Sequence, residues 1–397
     1  MSLTFAESPR STVGIEWELQ LVDTDSNDLR QVADTVIERA QADAQLAPFL
    51  HREMLLNTVE VVSAAHTRVA DCIADLRAAF KRLRSITDPL RVDLTAGGSH
   101  PFADPLHQRV TDSRRYAELV GRTAYWGRQM LLYGVHVHVG VEAQDKVLPL
   151  INALLTKAGQ LQAVAASSPF WVGKDTGYAS NRQMVFQQLP TAGLPRQFST
   201  WGQLERYADD MLKTGAISVF NELRWDVRPA LHLGTIELRI FDSCTNVFEV
   251  EAMAALAHCL VEYYSRRLDA GEKLEQLPEW FVAENKWRAA RYGLDAELIV
   301  DQAGRIEPVC DTLLQLLEVL QPVAQDLDCT AGLGKVRHIL QVGAAYERER
   351  AVAQLADEEP EFALNNVVEL MRAEMVADRP LTVSEFAKVS GGFGQRG

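Results

Sequence analysis

Three separated segments alternate apolar and polar residues with the period of two that marks a strand buried on one face. Over Thr12 to Val22 the apolar set is Val13, Ile15, Trp17, Leu19 and Leu21, against Gly14, Glu16, Glu18 and Gln20. Over Tyr133 to Gly140 three valines oppose His136 and His138, and over Thr235 to Ile240 the aliphatics oppose Glu237 and Arg239. Each predicted strand has one greasy face and one face of carboxylate, imidazole or guanidinium. A sheet made of such strands packs helices on one side and leaves the other for chemistry. Thr58 to Val62 repeats the pattern and adds Glu60, with Glu53 seven residues earlier. Leu223 to Arg228 alternates again, which places Arg224, Asp226 and Arg228 together before Pro229 halts the strand, as a hairpin partner of the Thr235 segment.

Helical periodicity predicts helices over 34–46, 65–87, 112–131, 148–166 and 202–214, and a short strand over 92–96. From Asn246 onward the period becomes that of a helix and stays so, with helices over 247–268, 278–292, 308–327, 334–355 and 360–376. The expected class is α+β, an antiparallel sheet covered by helices in a single unit. Residues 10–245 form its sheet-containing core, 246–390 a helical cover and 391–397 a flexible tail. In the cover, Asn285, Trp287, Arg288 and Arg291 are candidates for ligand contact. Residues 167–195 lack periodicity and are too long for a mere connection, so a binding loop or lid is expected, with Lys174, Tyr178 and Arg182 meeting an anionic substrate. Gly97-Gly98-Ser99-His100-Pro101-Phe102 suggests either close approach of backbone to a ligand or a plain tight turn.

Composition narrows the partners. The 397 residues are 47% apolar and carry a net charge of -14, which argues against nucleic acid or an anionic membrane as a partner. Five scattered cysteines without a C-x-x-C pair fit reduced thiols in a cytoplasm. Neither a secretory leader nor a spanning apolar run is evident. Two carboxylates on one strand face, ~7 Å apart, repel unless a cation sits between them. A lone E-x-E is more often a solvated strand; its recurrence on several strands shifts the balance toward a divalent metal. Alternatively, His136 and His138 could ligate the metal of a hydrolase. That enzyme would need further strand-end histidines, of which only His100 qualifies, and would leave Glu16, Glu18 and Arg239 idle. Gly392-x-Gly394-x-x-Gly397 ends the chain, so no strand-turn-helix can follow it, and Gly332-x-Gly334-Lys335 lacks phosphate-loop spacing. Neither H-E-x-x-H nor G-x-S-x-G occurs.

Several stretches in order along the chain carry a family resemblance: Gly14-Ile15-Glu16-x-Glu18-Leu19, Gly97 to Phe102, Gly134 to Gly140, Ala166 to Pro169 on to Arg182, Trp225 to Pro229, Thr235 to Arg239, and Asn285 to Leu294. With these the chain resembles the YbdK-type carboxylate-amine ligases, the second bacterial glutamate-cysteine ligase family. The resemblance implies a glutamine-synthetase-like funnel whose inner face holds ATP and Mg2+, with Mn2+ an admissible substitute. It implies metal-binding acids Glu16, Glu18, Glu53, Glu60 and Glu237 with His136 beside them, and Arg239 as the catalytic arginine on the transferring phosphate. Glu237, Arg239, Asn285 and Arg291 are then the expected nucleotide contacts, and Lys174, Tyr178, Arg182, His138 and Arg228 the expected substrate contacts. The implied reaction joins glutamate to cysteine, or to another amine, through an acyl phosphate, as in glutathione biosynthesis. A homodimer is expected from the resemblance alone. Ser99 stands where relatives often have threonine and Trp17 sits between the first two acids, so substrate choice stays open.

Overall fold

The computed structural model describes residues 2–356 and 360–390. Its centre is a seven-stranded sheet of β1 (Val13–Asp23), β2 (Leu50–Arg52), β3 (Thr58–Val62), β4 (Val92–Thr95), β5 (Gly134–Gly140), β6 (Val227–Ala230) and β7 (Thr235–Asp242). The order is β6-β7-β5-β1-β3-β2, with β4 also paired to β1, and every pairing is antiparallel. β1 is the spine: β3 lines one edge, while β5 and then β4 share the other.

The alternation does what the period-two pattern requires. Val13, Ile15, Trp17, Leu19 and Leu21 are all buried and join Val59, Val61, the β5 valines, Ile236 and Leu238 in one core. Trp17, fully buried, also donates its indole N–H to the Cys244 carbonyl at 3.2 Å, so the largest residue of the spine is fixed in direction. The Val247–Asp269 helix closes this apolar side and is buried along most of its length. Asn246 caps it by accepting the Glu249 N–H at 2.9 Å.

Several elements depart from the sequence reading. The first helix stops at Ala40, and the Asp43 carboxylate then accepts the Gln45 N–H in a turn, as a short polar side chain does. The 112–131 helix breaks at Ala124, whose φ is +48°, into Arg114–Thr123 and Tyr125–Arg128. The 148–166 helix is two, Gln144–Leu155 and Ala158–Ala165, and Gly343 at φ +93° divides 334–355 into Thr330–Val342 and Ala345–Ala353. The C-terminal half is not purely helical, because Glu297–Ile299 pairs with Ile306–Pro308 as a small hairpin. Pro229 does not halt its strand; it lies inside β6 opposite Ile236, which an outermost strand tolerates. Arg224 and Trp225 pair instead in parallel with Ala192 and Gly193, so the expected common face of Arg224, Asp226 and Arg228 is broken. Among the described residues no helix is long and apolar enough to cross a membrane. The 391–397 tail lies outside the described residues.

Candidate active site

Strand register assembles the polar face. Glu16 lies opposite His136 and Glu18 opposite Glu60, while Glu237 lies opposite both His138 and Arg228. Side chains directly across an antiparallel pair share a face and touch. Glu53 enters just beyond β2 and completes the group. Three overlapping triads result, Glu16–His138–Glu237, Glu16–Glu60–His136 and Glu18–Glu53–Glu60, each with donor atoms within 4.8 Å of one another.

The patch is not electrostatically uniform. Glu237 is gripped by two arginines: Arg228 Nε donates to it at 2.6 Å, and Arg239 Nη1 donates to its other oxygen. Burial alone would raise the Glu237 pKa, but Arg239, His138 and Arg228 outweigh it and hold the carboxyl well below its ordinary range. Glu16 is bracketed by imidazoles, with His136 Nδ1 at 3.0 Å and His138 Nε2 at 3.3 Å; these overcome the cost of burial and keep it ionised. His138 Nδ1 meets the Thr235 hydroxyl at 2.9 Å, which fixes the ring. Burial, followed by the charge of Arg239, lowers His136 to about 4, so this ring is neutral near pH 7. Its buried Nε2 has no hydrogen-bond partner, and neither has the buried Nε of Arg239.

At the other end the compensation falls short of the cost of burial. Burial and then Glu53 push Glu18 up to about 8, although Arg182, Arg239 and the Gly134 N–H act against it. Burial and the charges of Glu53, Glu16 and Glu18 drive Glu60 well above the carboxylate range. A buried excess of acid, all-oxygen at Glu18, Glu53 and Glu60 with the neutral imidazole of His136 beside it, fits a hard divalent cation.

The structure brings Arg182 to this face. Its guanidinium donates to the Arg239 carbonyl at 3.3 Å and lies where a Cβ on Gly134 would be, so only glycine at the start of β5 admits it. The other loop candidates are elsewhere. Lys174 is exposed in a two-residue hairpin opposite Trp171, and Tyr178 stacks under Arg291, whose Nη1 donates to the Gly177 carbonyl. Asn285 spends its amide on the backbone of Ile299, accepting at 2.7 Å and donating at 2.8 Å, and thereby fixes the small hairpin. Arg288 donates to Glu284 and the Glu297 carbonyl, and Trp287 is half-exposed.

The sequence reading missed Asp242. At the end of β7 its carboxylate accepts from the Ser168 hydroxyl at 2.7 Å, the Ser180 hydroxyl at 2.9 Å and the Ser167 N–H at 3.1 Å. Gly98 is pressed against it so closely that a Cβ would collide with the carboxylate and with Ser168. The close approach at Gly97-Gly98 is therefore to the chain itself. A bulge between Leu238 and Phe241 shifts the register, so alternation could not reveal Asp242; only the serine-rich loop opposite hinted at a partner.

Residues 12–366 match the family model described as glutamate-cysteine ligase family 2. A protein of Mycobacterium sp. (strain KMS) named "Putative glutamate--cysteine ligase 2-1" is 50% identical over 373 residues, covering 94% of this chain and 97% of that one. A Mycobacterium ulcerans (strain Agy99) protein named "Putative glutamate--cysteine ligase 2" is 51% identical, covering 94% and 93%. The crystal structure of the Francisella tularensis glutamate-cysteine ligase in complex with AMP superposes at a TM-score of 0.62 with 13% identity, covering 98% of this chain and 99% of that one. A bifunctional glutathione synthetase from Pasteurella multocida gives 0.61 with 15% identity, covering 91% of this chain and 51% of that one. These two structures share the fold.

Proposed function

The chain belongs to glutamate-cysteine ligase family 2, and on that premise we propose that it is an ATP-dependent carboxylate-amine ligase acting on glutamate. The observation that carries the reading is the meeting of Glu18, Glu53 and Glu60, with Arg239 and Arg182 charged against them, on one face of the sheet. A carboxylate and an amine do not condense at neutral pH. Transfer of the terminal phosphoryl group of ATP to the glutamate side-chain carboxylate releases ADP and gives an acyl phosphate. The amine nitrogen then attacks the acyl carbon, the phosphate leaves, and a γ-glutamyl amide remains.

Charge builds on the phosphoryl oxygens during the first step and must be met by positioned donors. Arg239 supplies one, since its buried Nε still has a hydrogen to give while its Nη1 is held on Glu237. Arg228 keeps that carboxylate from swinging, and Arg182 adds positive charge beside Glu18. Glu18, Glu53 and Glu60, with Glu16, His136 and Glu237 alongside, would hold Mg2+ or Mn2+; the orphaned Nε2 of His136 and the mutual repulsion of the acids suit that role. Bound there, a divalent ion neutralises the polyphosphate. His138, locked between Glu16 and Thr235, is a neighbour for the substrate's polar groups.

Cysteine is the first amine to test, given the names of the relatives. The experiment is ADP release with Mg2+, glutamate and a panel of amines, followed by mass analysis of the product. ADP formation that requires glutamate and is raised by one amine is expected. Glutamate-independent hydrolysis, or no ADP with any amine, overturns the reading.

A further inference from the structure

We propose that Cys259 and Cys329 form a reversible disulfide when the protein meets a hydroperoxide, a modification site on the apolar side of the sheet and independent of the ligase reading. Cys259 lies in the Val247–Asp269 helix, and Cys329 is the N-cap residue of the Thr330–Val342 helix packed beside it. Their sulfurs are 3.4 Å apart, 0% and 5% exposed respectively. At Gly332, in the first turn of the second helix, a Cβ would lie 3.0 Å from the Ala255 Cβ and 3.4 Å from the Glu251 side chain, so glycine there lets the helices approach closely. The remaining three thiols are placed otherwise: Cys72 donates to the Val13 carbonyl and Cys310 to that of Leu294, each at 3.3 Å, and Cys244 is buried just beyond β7.

Cys329 is built to be the reactive partner. A helix N-terminus favours a thiolate. The Cys259 thiol, followed by His258, draws its pKa below the ordinary thiol range despite burial. His258 Nε2 meets the Ser11 carbonyl at 2.8 Å, so Nε2 carries the ring proton and the buried Nδ1 is a bare lone pair without a hydrogen-bond partner. The chemistry then balances. His258 takes the Cys329 proton, and the thiolate attacks the near oxygen of ROOH, breaking the O–O bond to give Cys329–SOH and an alkoxide that recovers the proton as ROH. Cys259 sulfur attacks the sulfenyl sulfur, its proton leaves with the hydroxyl as water, and the S–S bond forms. Two thiols are oxidised and one peroxide is reduced.

The test treats the full chain with hydrogen peroxide, blocks remaining thiols with N-ethylmaleimide under denaturing conditions, and maps the peptides by mass. Two of the five cysteines are expected to resist alkylation and to join as a Cys259–Cys329 peptide that dithiothreitol separates. Cys259→Ala is expected to lose the cross-link and to accumulate a dimedone-reactive sulfenic acid at Cys329, and His258→Gln to react several-fold more slowly. Five alkylatable thiols in the native wild-type protein, at a peroxide dose that oxidises the urea-unfolded chain, would overturn the proposal, as would a cross-link between any other pair. The wild-type map decides the matter even if the variants do not fold.

Discussion

Two clusters of buried carboxylates can be set side by side. Around Arg348 the protein supplies its own counter-charge: Nε donates to Glu374 at 2.7 Å and Nη2 lies 2.9 Å from Glu249, while Thr245, Asn246 and the Leu381 N–H take up the remaining oxygens. This cluster ties the start of the Val247–Asp269 helix to the Pro360–Ala377 helix. At Glu18, Glu53 and Glu60 three acids converge on the polar face, and burial with mutual repulsion raises Glu18 and Glu60 in spite of Arg239 nearby. In the first arrangement both oxygens of Glu249 and of Glu374 meet donors, although burial still raises Glu249 and the adjoining Glu349. The second gathers its raised acids on the polar face within reach of one another, where a proton or a divalent metal can settle them, which is the mark of a site as opposed to a strut.

The largest effect that would break this contrast is on stability. Arg348→Ala leaves two carboxylates buried and unpaired, so a loss of about 3–5 kcal/mol is expected in urea denaturation; a wild-type midpoint would show that the cluster carries no load. Glu18→Gln should do the reverse, keeping or raising the melting temperature while ADP formation falls ~10²–10³-fold, about 2.7–4 kcal/mol of barrier. A Glu18→Gln protein that unfolds early yet turns over normally would exchange the two roles. Mg2+ with a non-hydrolysable ATP analogue should raise wild-type stability by about 2.7 kcal/mol at a hundred times its dissociation constant, and Glu60→Gln should abolish the increment; equal stabilisation of both proteins would place the metal elsewhere. Smallest is Lys174→Ala, expected within ~0.5 kcal/mol of wild type because the side chain is exposed, with an unchanged glutamate KM. A raised KM would bring the 170–175 hairpin into the site.

The polar face was legible because β1, β5 and β7 keep strict alternation long enough for Glu16, Glu18, His136, His138 and Glu237 to declare a common side. Other features left no periodic trace. Asp242 sits beyond a bulge, and the 297–308 hairpin uses three-residue strands, too short to show a period inside a helical stretch. Gly343 is a visible helix breaker, whereas Ala124 takes a positive φ that its residue type does not announce. In the 167–195 segment the aromatic and basic residues looked alike from sequence. Arg182 alone among Lys174, Tyr178 and Arg182 reaches the acids' neighbourhood, because Gly134 leaves it room.

That segment meets the sheet through Arg182 and the serines on Asp242, while the acids and arginines are carried by strands hydrogen-bonded to one another. Residues 170–178 are tied instead to Arg291 and Arg350 on the helical cover. Insertions or exchanges there can therefore accumulate while the strand-borne acids and arginines keep their places.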